Sequence, residues 1–225
     1  MRASVGLFFI CFERVFSCKY RRINTKQTVT EMWPHDDLMR HKLPCQATTM
    51  ELTPVLPPND SPIDFDMLDC MVKGTEISIT EDKELSLTTP PSVIELIGHE
   101  SSITFFVDCS RQYLVVNFKS VDRFLTFVLT CVDDTGEMKN IVITNKASFI
   151  TADRRSAKLP LQIEEGWQFL CIDLEDLLAN AFSATFAACK EITVHGSCRI
   201  SKLYFQSVLY SDVELPKYLR LLNDE

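Results

Sequence analysis

The stretch that decides the fold is residues 166–222, GWQFLCIDLEDLLANAFSATFAACKEITVHGSCRISKLYFQSVLYSDVELPKYLRLL. Asp173 stands where an N-cap carboxylate accepts from free backbone N–H groups, and Asp176 adds negative charge in the first turn. Apolar residues then recur at the spacing of a helix with one buried face. The sequence therefore predicts one amphipathic helix, whose apolar positions are Leu174, Leu177, Leu178, Ala181 and Phe182.

The residues after this helix have the two-residue alternation of strands. Residues 192–195 and 200–208 each predict a strand, and in the second one Lys202 and Tyr204 fall on one face, with Leu203 on the other. The helix is thus an insertion in a β framework.

Strand patterns also fill the region upstream. Residues 75–80 alternate and predict an edge strand, whereas 85–89 is a weaker candidate. A hairpin is predicted at the Gly-containing turn 133–136. The other predicted strands span 103–108, 113–121, 124–132, 139–144, 159–163 and 167–174. So many short strands with a single helix predict an all-β antiparallel sandwich, because a parallel sheet needs a helix in most crossovers.

The first 60 residues do not have the pattern of a packed domain. The apolar run at 5–12 is shorter than the roughly 20 residues that span a bilayer, and it has no small-residue cleavage site, so we interpret it as a strand or helix, or a gene-model artefact. Residues 20–60 are polar and proline-punctuated, which is typical of a linker. We predict a poorly structured extension at 1–60, a diverged domain edge or linker at 61–94, and the sandwich domain at 95–222.

No residue pattern in the chain indicates catalysis or a cofactor. The six glycines are too widely spaced for a phosphate-binding loop, and the nine cysteines contain no C-x-x-C pair, so we expect buried, reduced thiols. Zinc is disfavoured at the candidate ligands His35, Asp36, Asp37, His41 and Cys45, which lie in a segment without a scaffold.

Two further arrangements are weighed as catalytic groups. His195 and Cys198 would face opposite ways on an extended chain, so we interpret them as a packed or rim histidine beside a buried thiol. The pairs at 133–134 and 164–165 are interpreted as solvated turn carboxylates. Strand aromatics, including Tyr113, Trp167, Tyr204 and Tyr210, are expected in the core; a stacking platform for carbohydrate or single-stranded nucleic acid is the alternative.

Three segments, 113–134, 164–182 and 192–222, together resemble the cilia- and flagella-associated protein 20 family. The likeness is ordered and nearly continuous over residues 103–222. The residues that carry it are Gly166, Trp167, Cys198, Arg199, Tyr204, Leu209, Tyr210, Ser211, Glu214, Leu215 and Pro216.

The resemblance implies a jelly-roll-like β-sandwich without enzymatic activity or cofactor. It implies a structural protein of the ciliary or flagellar axoneme, at the inner junction where the B-tubule closes on the A-tubule of doublet microtubules, or at basal bodies and centrioles. Tubulin and neighbouring inner-junction proteins are the implied partners, whereas a small-molecule substrate, a membrane and nucleic acid are not.

One departure from the family concerns electrostatics. Where the family tends to carry a basic run after the first hairpin, residues 140–146 hold a single charge, Lys146. Because tubulin surfaces are acidic, this weakens the electrostatic match. The basic residues that remain as a candidate contact set are Lys119, Arg123, Arg154, Arg155, Arg199 and Lys202.

Overall fold

The computed structural model describes residues 51–86 and 90–220, and two N-terminal strands, 6–13 and 17–20, as backbone; for 122 and 123 it also describes the backbone alone. Within these residues the strands are β1 (Gly6–Glu13), β2 (Ser17–Tyr20), β3 (Leu52–Leu56), β4 (Cys70–Lys73), β5 (Ile77–Glu81), β6 (Ser92–Leu96), β7 (Ser102–Cys109), β8 (Tyr113–Asp133), β9 (Met138–Thr144), β10 (Thr151–Ala152), β11 (Ser156–Pro160), β12 (Trp167–Asp173) and β13 (Phe186–Gln206). The α-helix is α1 (Leu174–Phe182), and 3₁₀ turns lie at Phe65–Met67 and Lys217–Leu219.

Two strands of 21 residues each, β8 and β13, pair with each other along their length and organise the sheet. In one layer, the first half of β13 and the second half of β8 pair with each other. They are flanked by β7 and β4 on one side and by β9, β11 and β10 on the other. In the other layer, the remaining halves are flanked by β6, β5 and β3 and by β12, β1 and β2. The predicted all-β sandwich with one helix is confirmed, although β1 with β12 and β9 with β11 pair in parallel.

The long strands change layer where their register breaks. Gly196 pairs with Leu125 but Cys198 pairs with Ser120, so residues 121–124 of β8 bulge out opposite one residue of β13. Strands that turn a corner between packed sheets do so at such bulges. The sequence predicted separate strands on each side of these positions. The structure shows continuous strands instead, and the bulge lies where the sequence predicted an interruption.

The core fills the space between the two layers. Phe118 and Phe127 meet edge to face with ring centroids 5.1 Å apart, one from each half of β8. The predicted helix is confirmed: Leu174, Leu177 and Leu178 are buried, and the Asp173 carboxylate accepts from the Asp176 N–H at 3.0 Å. The helix therefore closes part of the core.

A smaller apolar cluster lies on the opposite face of the second layer. Val115, Cys171 and Tyr204 are covered there by Leu215 and Leu219 of the C-terminal segment. Because strand side chains alternate, these residues lie on the outer face of the same strands whose other residues fill the main core. The segment after β13 is thus a cover for one sheet face.

Other sequence predictions have mixed outcomes. The hairpin between β8 and β9 and the edge strand at 75–80 are confirmed. The prediction of a strand at 85–89 is wrong for 85 and 86, the part that the structure describes. Asp82 caps a turn there: its carboxylate accepts from the Glu84 N–H at 2.8 Å, and the Leu85 N–H donates to the Asp82 carbonyl. The rest of that prediction, 87–89, lies outside the described residues.

The N-terminal predictions are only partly covered by described residues. The apolar run at 5–12 coincides with β1, so the strand interpretation is confirmed there. β3 also precedes residue 61 and pairs with β13. The division into extension, edge and domain stays a prediction. The zinc candidates between His35 and Cys45 lie outside the described residues.

Candidate interaction surface

Arg199 holds together two acidic residues that are remote from it in sequence. Its Nη1 lies 2.8 Å from Asp82 Oδ2 and its Nε lies 2.6 Å from Glu95 Oε1. Asp82 is buried, and the hydrogen bonds from both carboxylates raise the pKa of Arg199. This guanidinium is therefore a cross-link between β13, β6 and the end of β5.

Lys119 lies next to Arg199 in the ladder and has a similar role. The two residues are paired across β8 and β13, and Lys119 Nζ lies 2.5 Å from Glu84 Oε1. The structure thus brings two members of the predicted contact set together, each beside an acidic partner from the 82–95 region.

Lys202 is largely buried beneath the C-terminal segment. Its ammonium donates to the backbone carbonyl of Arg220. Burial lowers the pKa of Lys202 to about 8, with the negative charge of Asp212 acting in the opposite direction. The structure gives this residue a contact within the chain, and it lies opposite Asn117 in the ladder, two residues along β8 from Lys119.

Arg154 and Arg155 are the exposed members of the set, with side chains 84% and 71% accessible. They lie between β10 and β11, and their Nε atoms lie 3.5 and 2.9 Å from Glu137 Oε1. Arg154 also lines an open cleft of about 690 Å³ between the β8–β9 turn and the end of α1. The side chain of Arg123 is outside the described residues, and its backbone lies in the β8 bulge.

An ion-pair network lines this cleft. The buried Lys139 ammonium lies 2.7 Å from Glu137 Oε2 and 3.4 Å from Asp133 Oδ2, and it also donates to the Arg154 carbonyl. The pKa of Asp133 is lowered, chiefly by the hydrogen bond from the Thr135 hydroxyl, and that of Lys139 is raised, chiefly by its hydrogen bond to Glu137. These groups are held in their charged forms, which suits them to fixing the turn.

The prediction that Asp133 is a solvated turn carboxylate is wrong. Asp133 is 4% exposed, because its Oδ1 accepts from the Thr135 N–H, the Thr135 hydroxyl and the Glu137 N–H and so turns inward. Sequence reasoning also missed Lys139. The available signal was its position in β9, two residues before Ile141 and on the same inward face.

The His195 and Cys198 pair has the geometry that the sequence predicted. Cys198 is fully buried and burial raises its pKa to about 12, whereas His195 is exposed. A thiol in that state does not supply a thiolate nucleophile. Five of the six described cysteines are buried, which confirms the predicted burial for these five, whereas Cys70 is half-buried.

The four aromatic residues considered as a stacking platform are not free rings on one face. Trp167 and Tyr204 are buried, and Tyr113 and Tyr210 are half-buried against the small cluster. The Tyr210 hydroxyl additionally accepts from the Glu51 N–H at 3.1 Å. These rings stabilise the outer face of the second layer.

The remaining family-motif residues build the same C-terminal cover. Gly166 has φ of 84° in the turn before β12, a conformation that favours glycine. Glu214 Oε2 accepts from the Ser211 N–H at 2.7 Å and from its hydroxyl at 2.6 Å. Leu209 packs against the cluster, Leu215 belongs to it, and Pro216 precedes the last 3₁₀ turn.

In the described part of the chain, no group of three or more histidine, cysteine, aspartate or glutamate side chains is arranged to hold a metal ion. None of the described helices has the length and apolar character that crossing a membrane requires.

Comparison with known proteins identifies the family of the domain. The family model of the CFA20 domain matches residues 63–223. Cilia- and flagella-associated protein 20 of Paramecium tetraurelia is 24% identical over 162 residues, covering 68% of this chain and 83% of the relative. The protein of the same name from Chlamydomonas reinhardtii is 25% identical over 140 residues, covering 58% and 73%.

Among solved structures, a family 11 carbohydrate-binding module from Clostridium thermocellum aligns with a TM-score of 0.38 and 11% identity, covering 72% of this chain and 99% of the module. The CBM22-1 and GH10 modules of xylanase 10B from the same organism align with a TM-score of 0.38 and 12% identity, covering 66% and 27%.

Proposed function

We propose, since this chain belongs to the CFA20 domain family, that it is a non-catalytic structural protein of cilia and flagella that binds axonemal doublet microtubules at the inner junction, or centriolar microtubules. The observation that carries the proposal is the match to the family over residues 63–223. Relatives of this chain are named as cilia- and flagella-associated proteins, and we extend that association to the chain itself.

The architecture supports a structural role. The two 21-residue strands form one continuous ladder through both layers, and α1 and the C-terminal segment pack on the resulting sandwich. A rigid body of this kind presents fixed loops to a partner lattice. Apart from the exposed His195, the ionisable groups described above are engaged in ion pairs within the chain or buried, which is consistent with a scaffold.

Within the candidate set, Arg154 and Arg155 are the residues that we propose to contact an acidic tubulin surface. Among the members of that set whose side chains are described, they have the most exposed guanidinium groups, and they lie together on one loop. Lys119, Arg199 and Lys202 are candidates for a structural role, because their contacts hold the sheet and the C-terminal segment in position.

The location is tested by expressing the tagged chain in ciliated cells. We expect a signal along the axoneme or at the basal body and centriole. A diffuse cytoplasmic signal that is absent from all of these structures would contradict the proposal.

The contact is tested by co-sedimentation with isolated doublet microtubules. R154E/R155E should reduce the bound fraction, whereas K83E/K158E, which makes the same change in net charge at other exposed lysines, should not. Equal binding by both double variants would show that the loop carrying Arg154 and Arg155 does not contact the microtubule.

A further inference from the structure

Five residues that pair directly across adjacent strands form a row on the outer face of the first layer. Lys73 of β4 lies opposite Ser102 of β7, which lies opposite His195 of β13. His195 lies opposite Thr126 of β8, and Thr126 lies opposite Thr144 of β9. Directly paired residues share a sheet face, so these five side chains stand side by side. Val194 is buried and His195 is exposed, which identifies this face as the outer one.

One end and the centre of this row carry basic residues, and a second lysine lies two residues beyond its other end, Thr144. Lys73, His195 and Lys146, the last of which follows β9, are all exposed; we call these three residues the basic row. The pKa of His195 is lowered by partial burial and then by the charges of Lys73 and Lys146, and no described carboxylate offsets them. The nearby lysine charges therefore hold the His195 imidazole toward its neutral form, and the positive charge of the row comes from Lys73 and Lys146.

Unlike the ion-paired lysines and the arginine of the sheet, the lysines of the basic row have no acidic partner among the described residues. Lys119, Lys139, Lys190 and Arg199 each pair with a carboxylate, whereas neither lysine of the basic row forms an ion pair with a described residue. The Lys146 ammonium instead lies 4.8 Å from the ring centroid of Phe124, an exposed residue of the β8 bulge. Unneutralised charge on the surface of a chain with net charge −8 is available to a partner.

The spacing of the basic row indicates the shape of that partner. Five adjacent strands at about 4.8 Å each span roughly 19 Å, which matches about six residues of extended chain. Cations distributed over this length do not surround one phosphate group. The other residues of the row carry hydroxyl groups, and Thr126 Oγ1 lies 2.7 Å from Thr144 Oγ1.

We propose that the basic row is a docking surface for a short acidic polypeptide segment that lies across β4, β7, β13, β8 and β9. Carboxylates of the segment meet Lys73 and Lys146, and its polar groups meet the exposed His195 ring and the half-buried Thr126, whereas Ser102 and Thr144 are buried. The chain's net charge of −8 disfavours longer polyanions such as nucleic acid, because the rest of the surface repels them. This surface is separate from the Arg154 and Arg155 loop, and its role does not depend on the microtubule proposal.

The test measures fluorescence anisotropy of a dye-labelled octaglutamate peptide at low ionic strength, with an octaglutamine peptide as the neutral comparison. Octaglutamate should bind and octaglutamine should not. K73E/K146E should weaken octaglutamate binding about tenfold or more. K83E/K217E, at two exposed lysines outside this face, is the matched control for net charge and should keep the affinity within about twofold.

Thermal unfolding of both double variants confirms that each is folded at the temperature of the measurement. Equal binding of the two peptides, or an equal loss in both double variants, would overturn the proposal. Tighter binding of a single-stranded oligonucleotide with the same charge as octaglutamate would also overturn it, in favour of a nucleic-acid surface.

Discussion

Gly196 lies so close to the backbone of Phe124 that a methyl group on it would meet the Phe124 carbonyl oxygen at 2.3 Å. Gly196 also has φ of 105°, a conformation that other residues rarely adopt. This contact lies where β8 and β13 change layer. The corner of the sandwich therefore requires glycine at this position for two independent reasons.

Replacing this glycine should destabilise the fold strongly. Gly196→Ala should lower the free energy of unfolding by about 3 kcal/mol or more, because backbone strain and a steric clash add. Gly136→Ala is the control: φ there is 82°, but a methyl group would meet nothing within 4 Å, so strain alone should cost about 1 kcal/mol. Urea unfolding measures both, and equal losses would argue against the clash.

Removing the Arg199 guanidinium should leave buried charge without a partner. Arg199→Met should lower the free energy of unfolding by about 2 to 3 kcal/mol, since Asp82 is then buried and unpaired. Lys190→Met, which removes an exposed pair with Asp108, should cost about 0.5 kcal/mol or less. If the two substitutions cost the same, Arg199 is not the cross-link that its contacts describe.

Lys202 should give stability a pH dependence in the alkaline range. Its folded-state pKa of about 8 lies below the ordinary 10.5, so the unfolded chain binds the proton more tightly over this interval. The free energy of unfolding should then rise with pH between about 8 and 10.5, by about 3 kcal/mol at most. Buried thiols such as Cys198 ionise on unfolding and oppose this rise equally in both proteins, so the free energy of unfolding of the wild type should rise with pH relative to that of Lys202→Met in a denaturation series.

The exposed Lys217 supplies the control for that series. Lys217→Met should keep the alkaline rise, because it leaves Lys202 under the C-terminal segment. A rise that persists in Lys202→Met would assign it to another group.

Asp133 should matter for stability at neutral pH and stop mattering in acid. Its folded-state pKa is lowered from the ordinary 3.8, so its stabilising effect is present above that pH and is lost as pH falls through the folded value. Asp133→Asn should have a lower Tm than the wild type at pH 7, and the difference should shrink below about pH 4. Asp134→Asn, at the exposed neighbouring position, should change Tm little at either pH.

Local features were predictable from the sequence because the signal and its cause lie within a few residues. Asp173 caps the helix through the Asp176 N–H three residues away, and the β8–β9 turn contains its own glycine and capping carboxylate. These elements needed no knowledge of distant partners.

Features that depend on pairing between remote strands were not predictable in this way. The continuity of β8 across its bulge depends on how closely Gly196 of β13 approaches it. Arg199 is bound by Asp82 and Glu95, about a hundred positions earlier, so its surface-like sequence context was misleading. The basic row likewise exists only through the register of five strands, which no single segment encodes.

The ladder between β8 and β13 also has a mechanical consequence. Tension applied along these two antiparallel strands in opposite directions loads their inter-strand hydrogen bonds in shear, so that many must fail together. Because both layers are attached to the same two strands, a load on one layer passes to the other through covalent backbone. The domain is therefore stiff along β8 and β13 and transmits force between the partners that bind its two ends.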